Sequence, residues 1–232
     1  MNKKAFGTQV FAKAYMKTSL IICVCLIWGS VSEDMARIKV PLWGQPDKKY
    51  CVPTCIKMIL EFLRENCGNV VPSVSIPNIA KVVRTQWDGT PPGNVELMNE
   101  YLKAKLSVKF KATYGQRFQD IVVETNEKET PVIAWLNEAK GPVNHSKILT
   151  DTNQLEDKLW HAVVVTYYDS NAQHFIYNDP WNAKEKSEEA GKFLRKWGVE
   201  GMMVKLLISR NEQAYLGTWL KENPLKGGAF NE

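Results

Sequence analysis

Residues 45–63, Gln45-Pro-Asp-Lys-Lys-Tyr-Cys51-Val-Pro-Thr-Cys-Ile-Lys-Met-Ile-Leu-Glu-Phe-Leu63, run from a turn-prone segment directly into an apolar helical pattern. Val52, Ile56, Ile59, Leu60 and Leu63 recur at the spacing of one helix face, and Pro53 suits a first turn, where its missing N–H costs nothing. The pattern predicts a helix that opens at or just after Cys51. A thiol there feels the positive end of the helix dipole, which favours the thiolate. Free cysteine is also among the most buried residue types, so the meaning of Cys51 depends on what the rest of the chain brings to it.

A second segment lies 110 residues downstream, where His161 opens the apolar run Ala162-Val163-Val164-Val165 and continues through Thr166-Tyr167-Tyr168. This reads as a buried strand. Asp169 to Gln173 is a turn, and His174 to Tyr177 a returning strand that carries Asn178 and Asp179 back toward His161. Pro180 ends the ladder immediately after Asp179. A nucleophilic cysteine requires a base, a group that orients the base, and donors for the developing oxyanion. Cys51, His161, Asp179 and the Gln45 amide are one candidate for each role. Such groups meet in space and not in sequence, so the long gap between Cys51 and His161 is expected.

The pattern Gln45-x5-Cys51-x-Pro53-Thr54, followed by His161-Ala-Val-Val-Val165 and Asn178-Asp179-Pro180-Trp181, resembles the C39-like group of papain-like cysteine peptidases. The resemblance covers roughly Val40 to Ser209. It implies an α+β fold in which an N-terminal helical part packs on an antiparallel sheet, with the site in the cleft between them. It also implies that Gln45 serves the oxyanion hole, Cys51 is the nucleophile, His161 the general base and Asp179 the orienting acid. Members often carry Gly directly after the nucleophile; Val52 stands there in this chain.

The remaining pattern fits helices first and strands later, an α+β order. Asn78–Arg84 and Val95–Lys105 read as helices separated by an Asp88–Gly93 loop, in which Gly89-Thr90 resembles a segment bordering the cleft in this family. Strands are expected over Val108–Thr113, Pro131–Leu136, His161–Tyr168, Phe175–Tyr177 and Met202–Ser209, with short helices near Phe118–Thr125 and over Lys184–Trp197.

Residues 1–32 read as a targeting segment. Leu20–Trp28 is an apolar core preceded by lysines and followed by small residues at positions −3 and −1 of a cut after Ser32. Met16 would open a more compact signal peptide. The apolar run Ser19–Val31 is short for a membrane span, so no stable membrane insertion is expected after cleavage. The expected organisation is a signal peptide over 1–32, a peptidase domain over 33–215 and a tail over 216–232, giving an exported periplasmic or extracellular protein, membrane-anchored if the segment stays uncleaved.

Four of the 30 basic residues and none of the 25 acidic ones lie in residues 1–32, so the remainder is close to neutral at 26 against 25. A near-neutral domain with no basic stripe argues against nucleic acid as a partner. Hydrophobic residues make up 44% of the 232, enough for a proper core. Cys51, Cys55 and Cys67 are expected as free thiols, because Cys55 and Cys67 lie about 18 Å apart along a helix. His145 and His174 lack the neighbours of a metal site, and neither metal nor cofactor is expected.

The function these residues predict is an exported thiol hydrolase, a cysteine peptidase or amidase acting on a peptide or protein substrate through a Cys–His–Asp triad and a thioester. Resolution of the same acyl-enzyme by an amine or thiol would make it a transferase. A non-catalytic peptide-binding module on the same fold is the alternative from another class.

Overall fold

The computed structural model describes residues 37–67, 71–102, 108–138, 160–198 and 200–208. The proposed signal peptide, the C-terminal tail, His145 and the Cys67 side chain lie outside the described residues. All described residues belong to one compact unit that begins at Arg37.

A 3-10 turn over Lys48–Tyr50, capped by the Asp47 carboxylate, feeds α1 (Cys51–Cys67), so the helix opens at Cys51 as its apolar spacing predicts. Its apolar side chains from Val52 to Leu63 (Val52, Cys55, Ile56, Met58, Ile59, Leu60, Phe62 and Leu63) are buried almost completely. Ser75 caps α2 (Ile76–Val82), with Pro77 in its first turn. The expected helix over 95–105 is divided. A 3-10 segment, Pro92–Glu96, precedes α3 (Leu97–Leu102), and residues 103–107 lie outside the described part. The Gln86–Gly89 bridge closes the intervening turn, and Gly89 adopts φ +118°, a conformation that a side chain would strain.

Six strands form one sheet in the order β1-β6-β2-β3-β4-β5. They are β1 (Lys109–Thr113), β2 (Val132–Asn137), β3 (Trp160–Asp169), β4 (His174–Asp179), β5 (Lys184–Glu189) and β6 (Met203–Leu207). All neighbouring pairs are antiparallel. Two short helices are α4 (Phe118–Val122), continued by a π-helical turn over Val123–Glu127, and α5 (Ala190–Trp197). This is the expected α+β arrangement of helices and an antiparallel sheet.

Two apolar layers follow from the period-2 alternation of the strands. Ile133, Trp135, Ala162, Val164, Val204 and Leu206 pack with α1, α2 and α3. Val132, Ala134, Val163, Val165, Phe175 and Tyr177 pack with Ile121 of α4 and with Phe193 and Trp197 of α5. The continuous apolar run of β3 is therefore the signature of a strand buried on both faces.

One expected element is corrected. Lys184–Glu189 is the edge strand β5 and not the start of a helix, which begins only at Ala190. Its residues are nearly all charged and carry no local strand signal. Pairing with β4 from His174↔Glu189 to Asp179↔Lys184 overrides local propensity. The charged side chains also suit an edge, where they discourage pairing with a further strand. No helix among the described residues is long and apolar enough to cross a membrane.

Candidate active site

The first turn of α1 lies across the start of β3. Cys55 Sγ donates to the carbonyl of Ala162 at 3.3 Å, which sets the turn carrying Cys51 next to His161. The β3–β4 register then supplies the third group. Val164 pairs with Asn178, so residue 179 follows opposite residue 163, and His161 lies two residues further along on the same side of the ladder. His161 Nε2 is 2.7 Å from Asp179 Oδ1. Its other ring nitrogen, Nδ1, is thereby left clear of Asp179, and Cys51 adjoins the imidazole.

Burial alone would lower the imidazole pKa. The hydrogen bonds to Asp179 and Cys51, with the charges of both, outweigh it and raise His161 to about 9. Burial opposes ionisation of Asp179 as well. The bonds from His161 and Lys186, the charge of His161 and the Trp181 N–H prevail and hold the carboxyl far below its usual range. Cys55 is the contrasting case. Its full burial, followed by the charges of Cys51 and Asp179, pushes its thiol well above the ordinary value. Cys51 and Cys55 are both free thiols.

The N-terminal segment closes one side of the site. Asn178 Nδ2 donates to the Val40 carbonyl at 2.8 Å, and the Gln45 N–H donates to the Pro180 carbonyl at 2.8 Å. The Gln45 side chain is turned into its own loop, where Nε2 donates to the carbonyls of Asp47 at 3.0 Å and Lys48 at 3.4 Å. Its Oε1 is buried and has no partner among the described residues. Cys51, His161 and Asp179 thus stand in line, the last two joined by a hydrogen bond, while Gln45 stands in the loop that leads to Cys51. Trp181 meets the His161 ring edge-on at 6.4 Å between centroids and is half exposed. Leu42 and Trp43, also exposed, lie in the segment leading to Gln45, and Lys57 Nζ sits 4.8 Å from the Trp43 ring centroid.

Lys186 is absent from the residues singled out above, yet its Nζ donates to Asp179 Oδ2. A sequence signal for it required recognising β5 as a strand, because the contact depends on cross-strand register. His174, by contrast, bonds Ser187 Oγ through Nδ1 at 3.0 Å and takes no part in the line.

A buried thiol beside a half-buried imidazole that bonds a buried carboxylate, with the thiol on the first turn of a helix that packs on an antiparallel sheet, is the kind of arrangement thiol hydrolases use. The sequence profile of the Peptidase_C39 like family matches residues 37–202, and the chain belongs to that family. Membership gives it a cysteine-peptidase type of function. Among solved structures, it is similar to a candidate C39-like peptidase from Bacillus anthracis, with a TM-score of 0.57 and 16% identity over 75% of this chain and 98% of that one. It is also similar to the peptidase domain of Streptococcus ComA, a bifunctional ABC transporter involved in quorum sensing, with a TM-score of 0.50 and 17% identity over 74% and 100% of the two chains. A double glycine motif protease from an AMS/PCAT transporter, solved with its leader peptide, matches with a TM-score of 0.51 and 16% identity over 75% and 95%. These similarities establish a shared fold. No curated relative matches the chain.

Proposed function

We propose that the protein is an exported cysteine peptidase or amidase in which Cys51, His161 and Asp179 form the triad and Gln45 contributes to the oxyanion hole. The observation that carries this reading is the 2.7 Å hydrogen bond between His161 and Asp179, with Cys51 beside the same imidazole at the start of α1. The proposed organisation is a signal peptide over 1–32, a catalytic domain over 33–215 and a C-terminal tail over 216–232.

In the proposed reaction the Cys51 thiolate attacks the carbonyl carbon of a peptide or amide, and the electron pair moves onto oxygen. The Cys51 N–H and the Gln45 amide stabilise that oxyanion. His161 gives its Nδ1 proton to the departing amine, leaving a thioester on Cys51. Neutral His161 then takes a proton from water, the hydroxide adds to the thioester, and collapse releases the carboxylic acid and the thiolate. Asp179 fixes the imidazole ring and stabilises its charged form throughout. The exposed apolar residues Leu42, Trp43 and Trp181 around the site suit a polypeptide ligand. The leader peptide bound to the double glycine motif protease is consistent with that class.

One observation favours a binding module instead. Both N–H groups of the Gln45 amide are directed at carbonyls of its own loop. Alkylation of Cys51 by iodoacetamide as a function of pH, with His161→Ala in parallel, separates the readings. The catalytic reading expects fast alkylation in neutral and mildly acidic solution, where an ordinary thiol is protonated, and its loss in the variant. Slow alkylation in both proteins, rising only with the pH of a free thiol, would leave the binding module.

A further inference from the structure

The Asp179 carboxylate is buried, and both of its oxygens are occupied. Oδ1 accepts from His161 Nε2 at 2.7 Å and from the Trp181 N–H at 2.8 Å. Oδ2 accepts from Lys186 Nζ, and Lys186 itself is half exposed. In the β4–β5 register Asp179 stands opposite Lys184, and Lys186 stands opposite Tyr177. Lys186 therefore lies diagonally from Asp179 on the same face of the ladder, a separation of about 7–8 Å that a long side chain spans. The contact joins an edge strand to the acid of the proposed triad.

We infer that Lys186 is a positioning residue for the proposed triad, holding Asp179 by its second oxygen and offsetting its charge so that His161 can release its proton. This inference rests on the catalytic reading above. A carboxylate bound through one oxygen can swing about its Cβ–Cγ bond, whereas one held through both keeps its plane and directs Oδ1 at the imidazole. The charge argument is separate. An uncompensated carboxylate beside His161 would bind the imidazole proton more tightly and make the imidazolium a weaker acid toward a departing amine. A lysine at the far oxygen reduces that pull without contacting the imidazole.

The surrounding charges leave this role to Lys186. From α1, Cys51 and Cys55 face the pair. On β5, Lys184 stands opposite Asp179, and Glu188 lies two residues beyond Lys186. Glu188 is engaged elsewhere, by Lys192 at 3.1 Å, by Lys196 at 2.9 Å and by the Tyr177 hydroxyl at 3.3 Å. Lys196 also reaches Glu138 at the end of β2, at 3.7 Å. Glu185 pairs with Arg37.

The test is the NMR titration of the His161 imidazole in wild type, Lys186→Met and Lys186→Arg, with the iodoacetamide profile of each protein recorded beside it. Methionine keeps the apolar stem and removes the charge; arginine restores the charge and the donors. In Lys186→Met the His161 titration should move to higher pH, by on the order of half to one unit for one nearby charge lost in a partly solvated site. The onset of alkylation should move in the same direction. Lys186→Arg should return both toward wild type. A His161 titration unchanged or lowered in Lys186→Met overturns the inference, as does a failure of arginine to rescue. The NMR arm does not depend on turnover. A shifted His161 with an unreactive Cys51 in wild type would sink the catalytic reading while keeping the Lys186–Asp179–His161 coupling. A reactive Cys51 with an unshifted His161 would do the reverse.

Discussion

The backbone N–H of Gln45 donates to the carbonyl of Pro180 at 2.8 Å, joining the loop that leads to Cys51 to the residue that follows Asp179. A second link runs beside it, from Asn178 Nδ2 to the Val40 carbonyl at 2.8 Å, and Asn178 is almost fully buried. Two parts of the site far apart in sequence are therefore braced against each other. Displacement of the Val40–Gln45 segment would disturb the proposed oxyanion donor and the proposed triad acid together.

Asn178→Ala tests that bracing. It leaves the buried Val40 carbonyl without its donor, which should cost about 1–3 kcal/mol of stability, measured by urea unfolding. Activity should fall by more than the population of unfolded protein explains, because Gln45 loses its register against Pro180. Wild-type stability in this variant would mean that the segment is held by its other contacts.

Gln45→Ala should reduce kcat by about 10²-fold on any peptide that the wild type cleaves, the usual effect of losing one oxyanion donor. Of its two bonds to the loop, the one to Lys48 at 3.4 Å is the longer and is the one an oxyanion would replace. A change confined to KM would assign Gln45 to binding alone.

The parts of this molecule that were legible in the sequence are those whose information is local or strongly periodic. The spacing from Val52 to Leu63 located α1 and its start at Cys51, and the Val163–Val165 run located β3. His161 and Asp179 came from the hairpin geometry, which the structure closes with a bulge between Val165 and Tyr167 beyond the site. Strand β5 was illegible because Lys184–Glu189 carries charges in place of alternating apolar residues, and only β4 makes it a strand. Lys186 was lost with it. A diagonal cross-strand contact has no expression in the local sequence once the strand itself is missed. Gln45 shows a different limit, since position on a loop does not determine which way an amide turns.

Cys51 and Cys55 are one helical turn apart, and only one should react. Cys55 is fully buried, its Sγ donates to the Ala162 carbonyl, and burial with two nearby negative charges disfavours its thiolate. Limited iodoacetamide treatment of the folded protein, followed by peptide mass spectrometry, should place the label on Cys51, with Cys55 labelled only after denaturation. Labelling of Cys55 in the native state would mean that the first turn of α1 opens.

Asp179→Asn should leave the fold intact and lower turnover by about 10²–10⁴-fold, the range of a general acid–base contribution. The amide cannot stabilise an imidazolium, and its orientation favours the wrong tautomer. Near-wild-type turnover would remove Asp179 from the triad.

The same pair sets the pH range of stability. His161 is raised from an ordinary 6.5 to about 9 in the folded chain, so its contribution is complete below about 6.5 and is lost as pH rises toward 9. Asp179 is shifted the opposite way, so its contribution is present above its ordinary 3.8 and is lost as pH falls toward its lowered folded value. The two contributions coexist between about pH 4 and 6.5. The melting temperature should be highest in that interval and should decline on the alkaline side between 6.5 and 9. In His161→Ala the alkaline decline should flatten, because the group that releases the proton is gone. In Asp179→Asn it should also flatten, because His161 loses its strongest bond and titrates nearer its ordinary value. A scan of melting temperature against pH for the three proteins checks this directly. An alkaline decline of equal size in all three would locate the titrating group elsewhere.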